Sequence, residues 1–125
     1  MAKVLVIDDS RVMRLYLRRV LEGTYALEEW IPPSAMEIVD YIQTSAPDLV
    51  LTDYQMPGCN GATVARMVLK ARPGLPVVVL TANRDEDVAT QLRKFKVAEI
   101  LHKPASPEEI LAALGKALAP GDRTA

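Results

Sequence analysis

Three short, unbroken runs of Val, Leu and Ile constrain this chain most: Val4–Ile7, Leu49–Leu51 and Val77–Leu80. None of them alternates apolar with polar residues. A strand with one wet face alternates, so runs of this kind read as strands buried on both faces, the situation of a parallel sheet covered by helices on either side. Two weaker candidates are Tyr25–Ile31, whose mixture of apolar and charged residues suits a sheet edge, and Glu99–Leu101.

Helical patterns lie between the runs. Met13, Tyr16, Leu17, Val20 and Leu21 fall on one helical stripe, as do Ala35, Ile38, Val39 and Ile42, and Ile110, Ala113, Leu114, Ala117 and Leu118. Val64, Ala65, Val68 and Leu69 form a narrower one, and Asp85–Lys96 is the most polar, with only Val88, Leu92 and Phe95 on its stripe. Ser34 with Glu37 and Ser106 with Glu109 have the spacing of capping boxes, Pro107 sits at a first helical position, and Gly23 and Gly74 read as C-caps. Strand followed by helix, repeated five times, predicts a single α/β domain: a parallel five-stranded sheet, (βα)5, with helices on both faces. Residues 1–119 are read as that domain and 120–125 as a short, frayed tail.

A net charge of −1 with no basic stripe points away from direct nucleic-acid binding. No apolar run approaches the roughly 20 residues that span a bilayer, and no signal-peptide pattern opens the chain. The single cysteine, Cys59, allows no internal disulfide, and the expected location is cytoplasmic. Cys59 is expected to be an exposed loop residue and Trp30 a half-buried one.

In an open parallel sheet, ligands bind beyond the carboxyl ends of the strands. Asp8 and Asp9 follow the first apolar run, Asp53 follows the third strand after Thr52, Thr81 and then Ala82 and Asn83 follow the fourth, and His102, Lys103 and Pro104 follow the fifth. Three acids, a hydroxyl and an ammonium therefore converge on one rim. Adjacent carboxylates repel and raise each other's pKa. Oxygen-only ligands suit Mg²⁺, or alternatively Mn²⁺. With Lys103 opposite, the set forms a pocket for an anion that carries its own oxygens, such as a phosphoryl group, and one carboxylate can act as nucleophile. Each residue alone has an ordinary explanation. Asp9 or Ser10 would cap a helix, Lys103 would be a solvated lysine, and His102 would be a partly exposed strand end.

With these motifs in order, Asp8-Asp9, Asp53-Tyr54-Gln55-Met56-Pro57 with Gly61 downstream, Thr81-Ala82 and Lys103-Pro104, the chain resembles the receiver domain of two-component response regulators from about residue 3 to about residue 118. The resemblance implies a flavodoxin-like sheet of strand order 2-1-3-4-5. It implies that Asp53 is the phosphoacceptor and that Asp9, Asp53 and the backbone carbonyl of Gln55 ligate Mg²⁺, with Asp8 acting through water. Lys103 would pair with Asp53 and then with the phosphoryl group, Thr81 would report its arrival, and Lys103-Pro104 would be a cis step. Gln55 and Asn83 would flank the water that later removes the phosphate.

The implied partners are a sensor histidine kinase or phosphotransfer protein, and an output protein met through the fourth helix, fifth strand and fifth helix. The chain would be a monomer or weak dimer, whether stand-alone or part of a longer regulator. Ile100 departs from the pattern, since receivers often carry an aromatic residue there that couples the site to the output face. Three other readings are ranked lower. A Mg²⁺-dependent aspartyl-phosphate phosphatase would need a second acid where Gln55 stands. A nucleotide or flavin binder would need a glycine-rich loop, which Ile7-Asp8-Asp9-Ser10-Arg11 lacks. A receiver-like scaffold that takes no phosphate would not need the complete acid set.

Overall fold

The structure is a computed structural model that describes residues 1–119. The expected tail at 120–125 lies outside the described residues. Five parallel strands, β1 (Lys3–Ile7), β2 (Ala26–Trp30), β3 (Leu49–Asp53), β4 (Val77–Thr81) and β5 (Glu99–His102), are ordered β2-β1-β3-β4-β5. The helices between and after them are α1 (Arg11–Leu21), α2 (Ile38–Ser45), α3 (Gly61–Ala71), α4 (Glu86–Lys94) and α5 (Pro107–Leu118). The expected (βα)5 sheet and its strand order are both observed.

Alternation within the central strands divides the core into two. Val4 and Val6, Leu49 and Leu51, and Val78 and Leu80 face α1 and α5, where they meet Leu17, Leu21, Ile110 and Leu114. Leu5, Ile7, Val50, Val77 and Val79 face the other way, toward Ile38 and Ile42 of α2, Val64 and Val68 of α3 and Leu92 of α4. Both faces are apolar and covered, which is why these strands show no polar alternation in sequence. In β2 every residue is only half-buried, as an edge strand requires. Its Trp30 stacks on Tyr41 of α2 with ring centroids 3.8 Å apart.

Several local expectations change. The Ser34–Glu37 box does not form: residues Ala35–Glu37 make a 3-10 turn, Ser34 caps no backbone N–H, and its hydroxyl meets the Glu37 carboxylate at 3.3 Å instead. The eclipsed 3-10 turn moves the start of α2 to Ile38. Gly74 is no C-cap, because α3 ends at Ala71 with an extended Arg72. The left-handed positions after α2 and α4 are taken by Ala46 (φ 50°) and Lys96 (φ 65°), which no glycine announces. Gly23 (φ 83°) follows α1 as expected, and Ser106 with Glu109 forms the full capping box of α5. Helix α4 is shorter than Asp85–Lys96, with Asp85 as its N-cap and Leu92 its one fully buried residue.

Candidate functional site

Register builds the rim. Ile7 pairs with Thr52, so the next residues, Asp8 and Asp53, lie side by side. Asp53 pairs with Leu80, one residue before Thr81, and Thr81 pairs with His102, one residue before Lys103. Asp53 and Thr81 are themselves the last residues of their strands rather than residues beyond them, because strand pairing continues past the apolar runs.

Asp8, Asp9 and Asp53 each offer a carboxylate oxygen, and these atoms all lie within 4.8 Å of one another. Asp8 and Asp53 are buried, whereas Asp9 is exposed. Asp8 Oδ1 accepts from the Ser10 N–H at 2.9 Å, but its Oδ2 is buried and has no hydrogen-bond partner among the described residues. Burial pushes the Asp8 carboxyl above the usual carboxylate range. Asp53 and Asp9 push it the same way, while the Ser10 bond and Lys103 act in the opposite direction. Across the rim, Lys103 Nζ sits 2.8 Å from Asp53 Oδ1.

Neighbouring groups hold each piece in place. The Lys103 N–H donates to the Thr81 carbonyl at 2.9 Å, the Lys103-Pro104 peptide is cis, and the Ala105 carbonyl just beyond it accepts from the Tyr16 hydroxyl of α1 at 2.8 Å. Past Asp53, the loop folds back so that the Gly61 N–H donates to the Tyr54 carbonyl at 2.6 Å. A Cβ at Gly61 would stand 2.9 Å from Tyr54 Cα and 3.1 Å from the Asp53 carbonyl, so only glycine fits this approach. Ser10, rather than Asp9, caps α1 through the Met13 N–H. That leaves the Asp9 carboxylate uncommitted to the helix.

Thr81 Oγ1 accepts from the Asn83 N–H at 2.9 Å, and Asn83 Oδ1 accepts from the Asp85 N–H at 2.8 Å, so the Asn83 amide oxygen is engaged in its own loop. Gln55 and Ala82 are exposed on the same rim, and His102 ends β5 half-buried. Ile100 lies on β5, packed in part against the α4 side of the core. It also lines a groove of about 510 Å³ with Arg84, Glu86, Arg93 and His102. Cys59, expected to be exposed, is buried at 9% because the loop turns inward ahead of α3, and burial pushes its thiol pKa up, away from reactivity.

The donor set suits a hard divalent cation: three carboxylates, oxygen throughout, one of them with a buried oxygen that no group among the described residues satisfies. A hydrophobic or neutral pocket would leave that oxygen at a cost. A cation removes the cost and the repulsion together.

The response regulator receiver domain family matches residues 4–115 of the chain. The DNA-binding transcriptional regulator NtrC of Klebsiella pneumoniae is 31% identical over 113 residues, which cover 90% of this chain and 24% of that protein. The response regulator UvrY of Escherichia coli K12 is 29% identical over 115 residues, covering 91% of this chain and 53% of that protein. The chain thus spans about a quarter of the one relative and about half of the other. The crystal structure of a response regulator receiver domain protein from Clostridium thermocellum superposes with a TM-score of 0.80 at 30% identity, over 94% of each chain.

Proposed function

The chain belongs to the family of response regulator receiver domains, and from that premise we propose that it accepts a phosphoryl group on Asp53 from a phosphohistidine of a sensor kinase or phosphotransfer protein, with Mg²⁺ held at the acidic rim. Receiver domains bind Mg²⁺ at an acidic pocket, and the observation that carries the reading here is the buried, unpartnered Asp8 Oδ2 beside Asp9 and Asp53.

In the proposed reaction an Asp53 carboxylate oxygen attacks phosphorus and the P–N bond of the phosphoimidazole breaks. Its electron pair stays on the ring nitrogen, which then takes a proton, and Asp53 becomes a mixed anhydride. Asp9, Asp53 and the Gln55 carbonyl would ligate Mg²⁺, with Asp8 acting through water. When bound, the ion supplies positive charge against the phosphoryl oxygens. Lys103, already on Asp53 Oδ1, supplies a second positive charge from the opposite side. Thr81 would give up its bond with the Asn83 N–H and donate its hydroxyl proton to the phosphoryl group. Gln55, exposed and uncharged, offers no general acid for steady turnover, in keeping with a phosphoacceptor rather than a phosphatase.

Output would pass through α4, β5 and α5. Two features support that surface: α4 is anchored by a single fully buried side chain, and the groove beside it is lined by Ile100 rather than an aromatic ring.

The test is incubation with Mg²⁺ and acetyl phosphate followed by intact mass. One added phosphoryl is expected, absent without Mg²⁺ and absent in Asp53→Ala. An adduct that survives the substitution would sink the assignment of Asp53.

A further inference from the structure

Arg14 of α1 is half-buried beneath the rim and touches no rim carboxylate. Its Nη1 donates to the backbone carbonyl of Asp8 at 2.8 Å, and its Nε faces Glu29 Oε1 on the edge strand at 3.3 Å. Glu29 is held in turn by Arg18, whose Nε donates to Oε2 at 2.9 Å. The carbonyl that Arg14 holds belongs to the peptide joining Asp8 to Asp9. A peptide unit is planar, so fixing that oxygen fixes ψ of Asp8 and φ of Asp9 together. One guanidinium therefore sets the backbone from which both adjacent carboxylates project. Ser10 anchors only one of them, through Asp8 Oδ1.

We propose that Arg14, braced by Glu29, is a positioning residue for the divalent-cation site: it orients Asp8 and Asp9 as a pair for Mg²⁺. The proposal rests on the reading of the rim as a Mg²⁺ site.

Charge and geometry make opposite predictions here, which gives the test its force. Arg14 is a cation close to a cation site. If it acted only through charge, its removal would tighten Mg²⁺ binding. If it positions the two acids, its removal weakens binding despite the lost repulsion. The two contacts come from different nitrogens of one rigid fork, a geometry that a lysine ammonium does not reproduce.

Mg²⁺ affinity is measured by calorimetric titration in wild type, Arg14→Gln, Arg14→Lys and Glu29→Gln, with thermal melts in the absence of Mg²⁺ as a folding check. Partners that orient metal ligands typically contribute 10–100-fold in affinity, so Arg14→Gln is expected to bind about tenfold more weakly. Arg14→Lys recovers only part of this, and Glu29→Gln shows a smaller loss. In the acetyl phosphate reaction, the Mg²⁺ concentration for half-maximal rate rises by the same factor while the rate at saturating Mg²⁺ stays close to wild type.

Unchanged or tighter binding in Arg14→Gln, or complete recovery in Arg14→Lys, would overturn the proposal. If Arg14→Gln does not fold, Arg14→Lys decides alone, because it keeps the charge and loses only the fork: weaker binding supports the proposal and unchanged binding overturns it. Absence of Mg²⁺ binding in the wild type would instead overturn the underlying reading of the rim.

Discussion

Two clusters of charged residues sit on this sheet, and they differ in one respect. Along the edge strand, Glu28 and Glu29 meet Lys3, Arg14, Arg18, Tyr41 and Ser45. Glu29 has an arginine on each oxygen, and Glu28 accepts from the Tyr41 hydroxyl and, at 2.7 Å, from that of Ser45. Every carboxylate oxygen there has a donor. At the carboxyl ends of the strands, Lys103 pairs with Asp53 alone, and one buried oxygen of Asp8 has no partner among the described residues. The number of charges is similar, so number does not distinguish a brace from a site. The unmet demand for positive charge does. A satisfied network holds elements together, whereas an unsatisfied one is where the proposed cation would bind.

The largest effect expected from breaking this contrast is at Lys103. Lys103→Ala leaves Asp53 beside Asp8 without its paired ammonium, and stability without Mg²⁺ should fall by about 2 kcal/mol, less than for a fully buried pair because the lysine is partly exposed. The urea midpoint reports it, and added Mg²⁺ should restore part of the loss.

Asp8→Asn should act in the opposite direction. It removes a buried charge and gives the unpartnered position a donor facing two carboxylates, so stability without Mg²⁺ should rise by about 1–2 kcal/mol. A fall of that size would mean that the rim is already balanced in the protein alone.

On the edge, Tyr41→Phe should cost about 1 kcal/mol at neutral pH, with no response to Mg²⁺. Burial and the bond to Glu28 push the Tyr41 hydroxyl from 10.0 up to about 12. Its contribution is therefore complete below pH 10 and lost as the pH rises through 12. Glu28 is lowered: burial alone would raise it, but bonds from Tyr41, Ser45 and Lys3 outweigh that. Its share is present above the ordinary value of 4.5 and lost as pH falls through the lowered one. The difference in urea midpoint between wild type and Tyr41→Phe should narrow at pH 11 relative to pH 8. A constant difference would show that the hydroxyl bond contributes nothing.

The same contrast explains what could be read from sequence. The central strands were legible because both faces are buried, which leaves continuous Val and Leu runs. Their true ends were not, because Thr52, Asp53 and Thr81 are polar yet still pair in the sheet. The rim residues were legible because they stand at or just past strand ends, and parallel topology sends all such ends to one side.

Residues whose role is settled by a contact across the chain were not legible. Arg14 reads as an ordinary polar position of α1, and nothing local shows that it reaches back to the Asp8 carbonyl. Cys59 reads as a loop residue, and only the inward turn ahead of α3 buries it. Ala46 and Lys96 adopt left-handed backbone because the chain must reverse there, without a glycine to signal it. Ser34 has the spacing of a capping box, but the 3-10 turn removes the geometry that the box needs.

The most direct measurement is the stability gained from Mg²⁺. A ligand that binds only the folded state adds about 2.7 kcal/mol at one hundred times its dissociation constant. That gain is expected in wild type and undiminished in Tyr41→Phe, and it should be absent in Asp53→Asn. An equal gain in Asp53→Asn, or no gain in wild type, would contradict the assignment of the rim as the cation site.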